Sequence, residues 1–277
     1  MRLIRQLSEY VPNPSVQTGF VPTMGALHEG HLELMRRAKA ENDKVVVSVF
    51  VNPTQFGPHE DFQKYPRMLE RDCDLAKSVG VDCVLAPSTE DICPENFTSI
   101  HVSGVTDAFE GVVRPGHFDG VCLVVAKLFN IVMPNRAYFG SKDLQQCAVI
   151  RRMVLDLNFR LELRIVETIR EADGLAMSSR NAYLSHESRQ IAPVLFASLR
   201  FAAQEIANLE QNDATNTQII LNSARNRIID AGFTLDYLDL VDENTMKSIS
   251  CANNNARIVV AARIEGTRLI DNVPIFG

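Results

Sequence analysis

Pro22-Thr-Met-Gly-Ala-Leu-His-Glu-Gly-His31 joins the two segments that decide the fold. Val16–Val21, which precedes it, is a short apolar run that predicts a strand. In Gly30–Glu41, which follows, apolar residues recur at every third position, as on one face of a helix. Lys44–Val51 is then a β-branched run, typical of a central strand that is buried on both faces. Strand, helix and strand in this order predict the beginning of a parallel sheet.

The same alternation continues to about residue 183. Strands that alternate with helices imply a mostly parallel sheet that is covered on both faces. We therefore predict an α/β fold with a Rossmann-like parallel sheet and helices on both faces. Helical spacing covers Arg67–Val79, Val121–Val132 and Leu144–Leu155, and the strand candidates between them are Val81–Leu85, Ala137–Phe139 and Leu161–Ile169.

The last third of the chain has a different pattern and predicts a second domain. Ser185–Asn208 has the spacing of one long helix, and Thr217–Ala231 that of another, which ends at Gly232. The polar stretch Asn208–Thr217 predicts a loop between them. We expect residues 1–183 to form the Rossmann-like domain and residues 184–277 a smaller α+β domain that serves as a lid. Its strand candidates are Leu235–Val241, Arg257–Ala262 and Thr267–Asn272, with a turn at Ile264–Thr267.

The composition restricts the class of function. The chain has 277 residues, of which 46% are hydrophobic, and this excludes global disorder. A formal net charge of −6 argues against general binding to nucleic acid or to a membrane surface. The longest apolar runs, Val45–Val51 and Val121–Val132, are too short to span a membrane. None of the six cysteines forms a Cys-x-x-Cys pair, which favours free thiols and a cytoplasmic location.

The segment quoted first carries residue types that suit a phosphate. In an open α/β sheet, ligands bind at the carboxyl ends of strands, where a helix N-terminus offers unpaired N–H groups and a partial positive charge. Gly25 and Gly30 allow close approach of the backbone, and His28 and His31 can donate to phosphate oxygens. The alternative is a loop whose glycines serve only the turn and whose histidines lie on the surface. The two histidines at a helix start, directly after a strand, favour the phosphate site.

Two later clusters suit the same ligand. Phe139-Gly-Ser-Lys-Asp143 follows a short strand, and Lys142 would supply a point charge near a polyphosphate. Asp143 either acts at the site or caps the next helix, and both interpretations stay open. Ala176–Asn181 contains two hydroxyls and a guanidinium side by side, which suit a phosphate, although Ser-Ser-Arg alone is more typical of a surface loop.

Polar residues of a second kind suggest recognition of a hydroxyl or a carboxylate. Gln55 follows the Lys44–Val51 run and is a neutral donor and acceptor. Gln145 and Gln146 lie at the start of the helix after Lys142. Arg114–Gly120 is a turn-rich segment that contains a cation and a histidine. It is either a mobile flap over the site or an ordinary connection.

These motifs carry a resemblance to a known family. His28-Glu-Gly-His31 resembles the His-x-Gly-His signature of the nucleotidylyltransferase superfamily. Met177-Ser-Ser-Arg180 resembles a variant of the second, Lys-Met-Ser-Lys-Ser-type loop of that superfamily. In order and spacing, the chain resembles the pantothenate synthetase family over roughly residues 20–184. The matching segments are Pro22–His31, Asn52–Phe56, Tyr65–Arg67, Arg114–Gly120, Gly140–Asp143, Gln145–Gln146 and Arg170–Asn181.

The resemblance implies an ATP-dependent ligase that condenses pantoate with β-alanine to pantothenate. In this reaction the pantoate carboxylate attacks the α-phosphate of ATP and releases pyrophosphate. The amine of β-alanine then attacks the pantoyl adenylate and releases AMP. The resemblance further implies Mg²⁺ with the ATP and a homodimer, and neither nucleic acid nor a membrane as partner.

The resemblance also assigns site residues. The catalytic candidates are His28, His31, Lys142 and Arg180. Pantoate and β-alanine would be bound by Thr23, Met24, Gln55 and Gln146. ATP would lie along Met24, Gly25, Ala26, Leu27, His28, Glu29, Gly30, His31, Gly140, Ser141, Lys142, Asp143, Ile169, Met177, Ser178, Ser179 and Arg180.

The roles of two residues are not settled by the resemblance, and two other functions stay as alternatives. Ser141 stands where many members of the family carry Glu, so no side-chain role is carried over to it. Asp72 is a weak candidate for a contact with magnesium, and we predict no dedicated metal site. One rival is a different adenylyl or cytidylyl transferase of the superfamily. The other is a nucleotide-binding regulatory module, which would not require the paired glutamines.

Overall fold

The computed structural model describes residues 1–57, 62–94, 98–209 and 213–276. Their strands form one six-stranded parallel sheet and, near the C-terminus, one separate antiparallel sheet of three strands. Helices cover the parallel sheet, so the predicted α/β fold with a smaller α+β part is confirmed. The boundary at residue 183 stays a prediction.

The parallel sheet has the strand order β1-β4-β3-β2-β5-β6. Its third strand, Lys44–Val49, is paired on both sides, and Val45, Val46 and Val47 have no exposed surface. This is the central strand that the β-branched run predicts. The strands are β1 (Arg2–Ile4), β2 (Thr18–Thr23), β3 (Lys44–Val49), β4 (Cys83–Leu85), β5 (Arg136–Gly140) and β6 (Glu162–Val166).

The order of the strands reverses next to β2, and this reversal marks the position where a ligand site is expected. From β2 the chain moves outward to β3 and then to β4, which lies beside the edge strand β1, whereas β5 and β6 extend the sheet in the other direction. The carboxyl ends of β2 and β5 therefore flank a topological switch point, where open α/β sheets bind ligands. The helices of this part are α1 (Glu29–Glu41), α2 (Leu69–Ser78), α3 (Thr89–Ile92), α4 (Glu110–Val113), α5 (His117–Val132) and α6 (Leu144–Asp156).

The C-terminal part packs two long helices on the antiparallel sheet around its own apolar core. The predicted turn between its last two strands is confirmed. Glu265 and Gly266 both have positive φ, as the two central residues of a tight hairpin turn require. The elements are α7 (His186–Ile191), α8 (Val194–Ala207), α9 (Ala214–Asp230), β7 (Thr234–Asp242), β8 (Ala256–Ile264) and β9 (Thr267–Pro274).

Three expectations about elements differ from the structure. The single helix predicted over Ser185–Asn208 is wrong, because it ends at Ile191 and begins again at Val194. Pro193 lies at the break, where it lacks the N–H that would continue the helix. The helix predicted from Val121 begins earlier, at His117. The pattern also missed β1, α3 and α4, which have three or four residues each, and part of the predicted loop Asn208–Thr217, residues 210–212, lies outside the described residues.

Candidate active site

A cleft of about 240 Å³ lies at the carboxyl ends of β2, β3 and β5, at the switch point. A wider cleft of about 730 Å³ adjoins it and reaches the C-terminal sheet. Both clefts are lined by Arg114, Lys142, Asp143, Ser178 and Arg180. The smaller cleft therefore opens toward solvent between the parallel sheet and the C-terminal part.

The Gly25–Leu27 turn after β2 is fixed by a buried carboxylate of α2. The N–H groups of Ala26 and Leu27 donate to the two oxygens of Asp72 at 3.0 and 2.8 Å. Gly25 has φ +85°, and a Cβ there would lie 2.8 Å from the Asp72 carboxylate. Asp72 is fully buried and both its oxygens accept from the turn, so its role is to shape the loop.

His28 and His31 lie on the wall of the cleft as uncharged imidazoles. The N–H of Gly30 donates to His28 Nδ1 at 3.2 Å, and the N–H of His28 donates to His31 Nδ1 at 3.3 Å. A ring nitrogen that accepts carries no proton, so each proton is on Nε2. Burial is the main cause that lowers the pKa of His28 to about 4 and of His31 to about 3, and the charge of Lys142 adds to it in both. The pair therefore offers two neutral Nε2–H donors.

The Lys142 loop is a single turn of 3₁₀ helix, Ser141–Asp143, between β5 and α6. Lys142 lines the cleft, whereas Ser141 is buried and its hydroxyl pairs with Thr168 Oγ1 at 3.2 Å. Asp143 makes no side-chain capping bond to α6, so the interpretation of this residue as a helix cap is wrong. Its carboxylate lies 3.8 Å from Lys142 Nζ instead.

The chain reverses its direction between Ile169 and Met177, and this reversal brings the Met177–Arg180 segment to the cleft. The N–H of Met177 donates to the carbonyl of Ile169 at 3.0 Å, and Arg170 forms an isolated bridge with Ala176. Ser178 Oγ accepts from the N–H of Arg180 at 3.3 Å and caps the short 3₁₀ helix Ser179–Tyr183. The segment thus faces the cleft and is not only a surface loop.

Gln55 is held in the cleft by Asn52 of its own segment and by two residues of the Arg114–Gly120 segment. Asn52 Nδ2 donates to Gln55 Oε1 at 3.1 Å, and His117 Nδ1 lies 2.7 Å from the Gln55 carbonyl. Arg114 Nη2 donates to the same carbonyl at 3.3 Å. Gln55 Nε2 lies 3.0 Å from Met24 Sδ, a weak acceptor that a better one would replace. The Arg114–Gly120 segment therefore supports Gln55 from the side.

The two adjacent glutamines of α6 have different surroundings. Gln145 is buried, and its amide bonds the N–H of Glu110 and the carbonyls of Val105 and Ala108. Gln146 lines the cleft. Only Gln146 is placed to meet a ligand, because the hydrogen bonds of Gln145 serve the backbone before α4.

Most of the site residues that the sequence predicts line one cleft. They are Thr23, Met24, His28, Gly30, His31, Gln55, Gly140, Lys142, Asp143, Gln146, Ile169, Met177, Ser178, Ser179 and Arg180. Gly25, Ala26, Leu27, Glu29 and Ser141 are not among its lining residues. Leu27 packs in the core, and Glu29 pairs with Arg36 on the exposed face of α1.

Sequence reasoning missed several residues of the same wall. Asn52, Tyr65, Arg114 and His117 fell inside motifs that were quoted, but no role was given to them. Tyr65 is buried and its hydroxyl donates to the carbonyl of Gly25 at 3.3 Å. Glu167 and Thr168 also line the cleft and gave no signal, since they belong to none of the matching segments.

In residues 1–57, 62–94, 98–209 and 213–276, no three His, Cys, Asp or Glu side chains are grouped to hold a metal ion. Within the same residues, no helix is both long and apolar enough to cross a membrane. The cysteines are all free thiols.

Neutral histidines at a helix start, a lysine and a hydroxyl-rich loop meet at the switch point of a parallel sheet. This combination is typical of α/β enzymes that bind and activate nucleotides, and it defines the class of the protein. The family model of pantoate-beta-alanine ligase matches residues 1–274. The chain belongs to this family.

Individual relatives agree with the family. A pantothenate synthetase of Gluconobacter oxydans is 51% identical over 259 residues, 93% of each chain. That of Thermotoga neapolitana is 48% identical over 272 residues, 97% of this chain and 95% of the relative. The crystal structure of pantothenate synthetase from Thermus thermophilus has a TM-score of 0.94 and 48% identity, with both chains fully covered. A Francisella tularensis pantoate-beta-alanine ligase complexed with beta-gamma ATP and beta-alanine has a TM-score of 0.81 and 35% identity, over 99% of this chain and 98% of that one.

Proposed function

We propose that this chain joins pantoate and β-alanine to pantothenate through a pantoyl adenylate, with ATP converted to AMP and pyrophosphate. One observation carries the proposal beyond family membership. A single cleft contains both donors that suit a polyphosphate and two neutral amides, Gln55 and Gln146, that suit an organic acid. A site for a nucleotide alone would not require the amides.

The first chemical step needs charge stabilisation at the α-phosphate and at the leaving pyrophosphate. We propose that ATP lies along Met24–His31, Gly140–Asp143, Ile169 and Met177–Arg180, with side chains as the main donors. The N–H groups of Ala26, Leu27, His28 and Gly30 are already paired within the protein. The Nε2–H groups of His28 and His31, the Lys142 ammonium and the Arg180 guanidinium would stabilise the developing charge. Because the histidines are neutral, we assign them hydrogen bonding and not proton transfer.

The pantoate carboxylate must stay nucleophilic while it is held. We propose that Gln55 and Gln146 orient it, with Thr23 and Met24 on the same wall. An amide donor orients a carboxylate without the strong ion pair that would lower its reactivity. Asn52 and His117 hold Gln55 through hydrogen bonds, and this supports the proposed role. A side chain that is already fixed loses little conformational entropy when the substrate binds.

Magnesium enters this proposal as part of the ATP substrate. Mg²⁺ in such sites is held largely by phosphate oxygens and water. Asp72 is occupied by two backbone N–H groups, so it does not fit as a ligand. We assign no protein ligand to the ion.

We further propose a lid, a homodimer and a cytoplasmic location. Residues 184–277 would close over the wider cleft, whose wall already includes Arg263, Thr267 and Asp271 of the C-terminal sheet. The homodimer is carried over from the family resemblance, and sedimentation velocity of the purified protein tests it. Six free thiols are compatible with a reducing compartment.

A single-turnover experiment tests the reaction. ATP and pantoate alone should yield one equivalent of pyrophosphate and no free AMP. Addition of β-alanine should then release AMP and pantothenate. Pyrophosphate that forms with another acid or nucleotide acceptor, but not with pantoate, would favour a different nucleotidyl transferase. ATP binding without any turnover would favour a regulatory module.

A further inference from the structure

Two adjacent residues of the last strand, Asp271 and Asn272, contact the two phosphate-facing loops of the proposed site. Asn272 is 3% exposed, and its Nδ2 donates to the carbonyl of Ser141 at 2.8 Å and to that of Lys142 at 3.1 Å. Arg257 Nη1 donates to Asn272 Oδ1 at 2.7 Å. A guanidinium only donates, so this bond fixes the amide with its NH₂ group toward the Lys142 loop.

Asp271 holds the other loop through an arginine. It is 5% exposed, and its two oxygens accept from Arg170 Nη1 and Nη2 at 2.7 and 2.9 Å. Arg170 also donates to the carbonyl of Gly174 at 3.1 Å and lies over the ring of Phe196, 3.6 Å from its centroid. Arg170 is bridged to Ala176, the residue before Met177, so this bidentate pair fixes the base of the Met177–Arg180 segment.

The strand geometry explains how neighbours reach different loops. Successive side chains of a strand project to opposite faces, and β9 is paired with β8 through both positions. Asp271 faces Val260 and Asn272 faces Val259 in the register. The spacing between the two loops is therefore set by a rigid strand of the C-terminal sheet and not by the loops themselves.

We propose that Asp271 and Asn272 are positioning residues for the adenylation step, with Asn272 placing Lys142 and Asp271 placing Met177–Arg180. The proposal rests on the function proposed above. Neither residue is assigned a contact with substrate. Lys142 must lie on the phosphate while the charge develops, and a displacement of about 1 Å in such a group reduces the rate by about 100-fold.

Asn272→Asp tests the assignment, because the side chain keeps almost the same volume while its NH₂ group is replaced by an oxygen. This oxygen repels the carbonyls of Ser141 and Lys142. We expect the single-turnover rate of pyrophosphate formation to fall about 10-fold to 100-fold. The KM for pantoate should change less than about twofold, because Gln55 and its supports are untouched. Asn254→Asp, which adds the same charge at an exposed position, should leave the rate unchanged.

A double-mutant cycle separates positioning from a general structural role. If Asn272 acts through Lys142, Asn272→Asp should slow the Lys142→Ala enzyme less than about twofold. Equal slowing in both backgrounds, or a wild-type rate in Asn272→Asp, would overturn the proposal. Asn272→Ala is the second variant if the first does not fold, since it removes the donor without adding charge, and the same two outcomes apply to it. If wild-type protein makes no pyrophosphate from pantoate, the proposed function fails, and the same cycle measured by ATP affinity still tests the contact.

Discussion

At the scale of single residues, the site depends on donors that are fixed before the substrate arrives. His28 and His31 each use Nδ1 to accept a backbone N–H, which leaves Nε2–H for a ligand. Lys142 supplies the charge that the neutral histidines lack. Donors that need no rearrangement stabilise a transition state more effectively than mobile ones.

The first prediction concerns these donors. Lys142→Ala or His31→Ala should slow pyrophosphate formation in a single turnover about 100-fold or more, a loss of about 3 kcal/mol of transition-state stabilisation. Lys247→Ala removes an exposed lysine far along the chain and is the matched control. Rates like those of the wild type in both variants would remove these residues from the mechanism.

The second prediction concerns the acceptor acid. Gln55→Ala should raise the Kd for pantoate about 10-fold, because the variant loses the hydrogen bond from the Gln55 amide. Asn52 and His117, which contact Gln55, are unchanged in the variant. The affinity for ATP should stay close to that of the wild type. Gln190→Ala, at an exposed position of α7, serves as control, and titration calorimetry measures both ligands. An equal loss for both ligands would place Gln55 elsewhere in the mechanism.

The third prediction concerns pH. Burial holds the pKa of His28 and of His31 at about 4 and about 3 in the folded protein, below the value of about 6.5 in an unfolded chain. Below pH 6.5 the unfolded state therefore binds more protons, and the free energy of unfolding falls as the pH decreases toward 4. In His31→Gln this fall should be smaller between pH 7 and pH 5. Parallel stability curves from urea unfolding would contradict the shifted pKa of His31.

At the scale of elements, the shape of the Gly25–Leu27 turn depends on α2, a helix that lies outside the cleft. Asp72 of α2 accepts the N–H groups of Ala26 and Leu27, and Gly25 supplies the left-handed backbone that the turn needs. The geometry of the turn is thus decided by residues 45 positions apart.

The fourth prediction follows from that contact. Asp72→Asn keeps one acceptor and replaces the other by an NH₂ group, which leaves one buried backbone N–H without a partner. We expect a loss of about 1–3 kcal/mol in the free energy of unfolding and a weaker affinity for ATP. Asp74→Asn changes a neighbouring carboxylate of α2 that holds no N–H of the turn, and is the control. Unchanged ATP affinity in Asp72→Asn would show that the turn keeps its shape without this residue.

The elements also show how far sequence reasoning reaches. The sequence predicted that the segments Pro22–His31, Phe139–Asp143 and Ala176–Asn181 meet at one site, and residues of all three line one cleft. Each is contiguous and comes after a predicted strand. The role of Asn272 had no such signal, since it acts on Lys142 from 130 positions away. His117 supports Gln55 in the same manner, from 62 positions away, through a contact that only the folded chain creates. Pro193 was a local signal for a helix break. The apolar spacing continues on both sides of it, and one helix over Ser185–Asn208 was therefore predicted.

At the scale of the whole molecule, the net charge and the site charge have opposite signs. The chain carries −6, yet its cleft is lined by Arg114, Lys142 and Arg180 against Asp143 and Glu167, while His28 and His31 are neutral. The acidic balance therefore describes the outer surface, whereas the cleft attracts anions locally. The parallel sheet supplies most of the cleft, and the C-terminal sheet holds it from the other side.

A largely buried ion cluster joins these two parts. The Glu110 carboxylate of α4 accepts from Tyr237 Oη of β7 and from Arg268 Nη1 of β9, both at 2.8 Å. Burial acts to raise the pKa of Glu110, but the hydrogen bonds and charge of Arg268 outweigh it and hold that pKa below its usual value. Asp236 pairs with Arg268 as well, at 2.6 Å. The cluster thus fixes the C-terminal sheet to the segment that leads into Arg114.

The fifth prediction tests this junction. Glu110→Gln keeps the volume but removes one of two carboxylates from the largely buried Arg268, so the free energy of unfolding should fall by about 1–3 kcal/mol. Glu162→Gln removes a carboxylate from an exposed ion pair on β6 and should leave the urea midpoint nearly unchanged, because exposed pairs contribute little. The loss should also appear as faster proteolysis of the C-terminal part, since the contact that fails is the one between the sheets. If Glu110→Gln and Glu162→Gln unfold at the same urea concentration as the wild type, other contacts hold the two parts together.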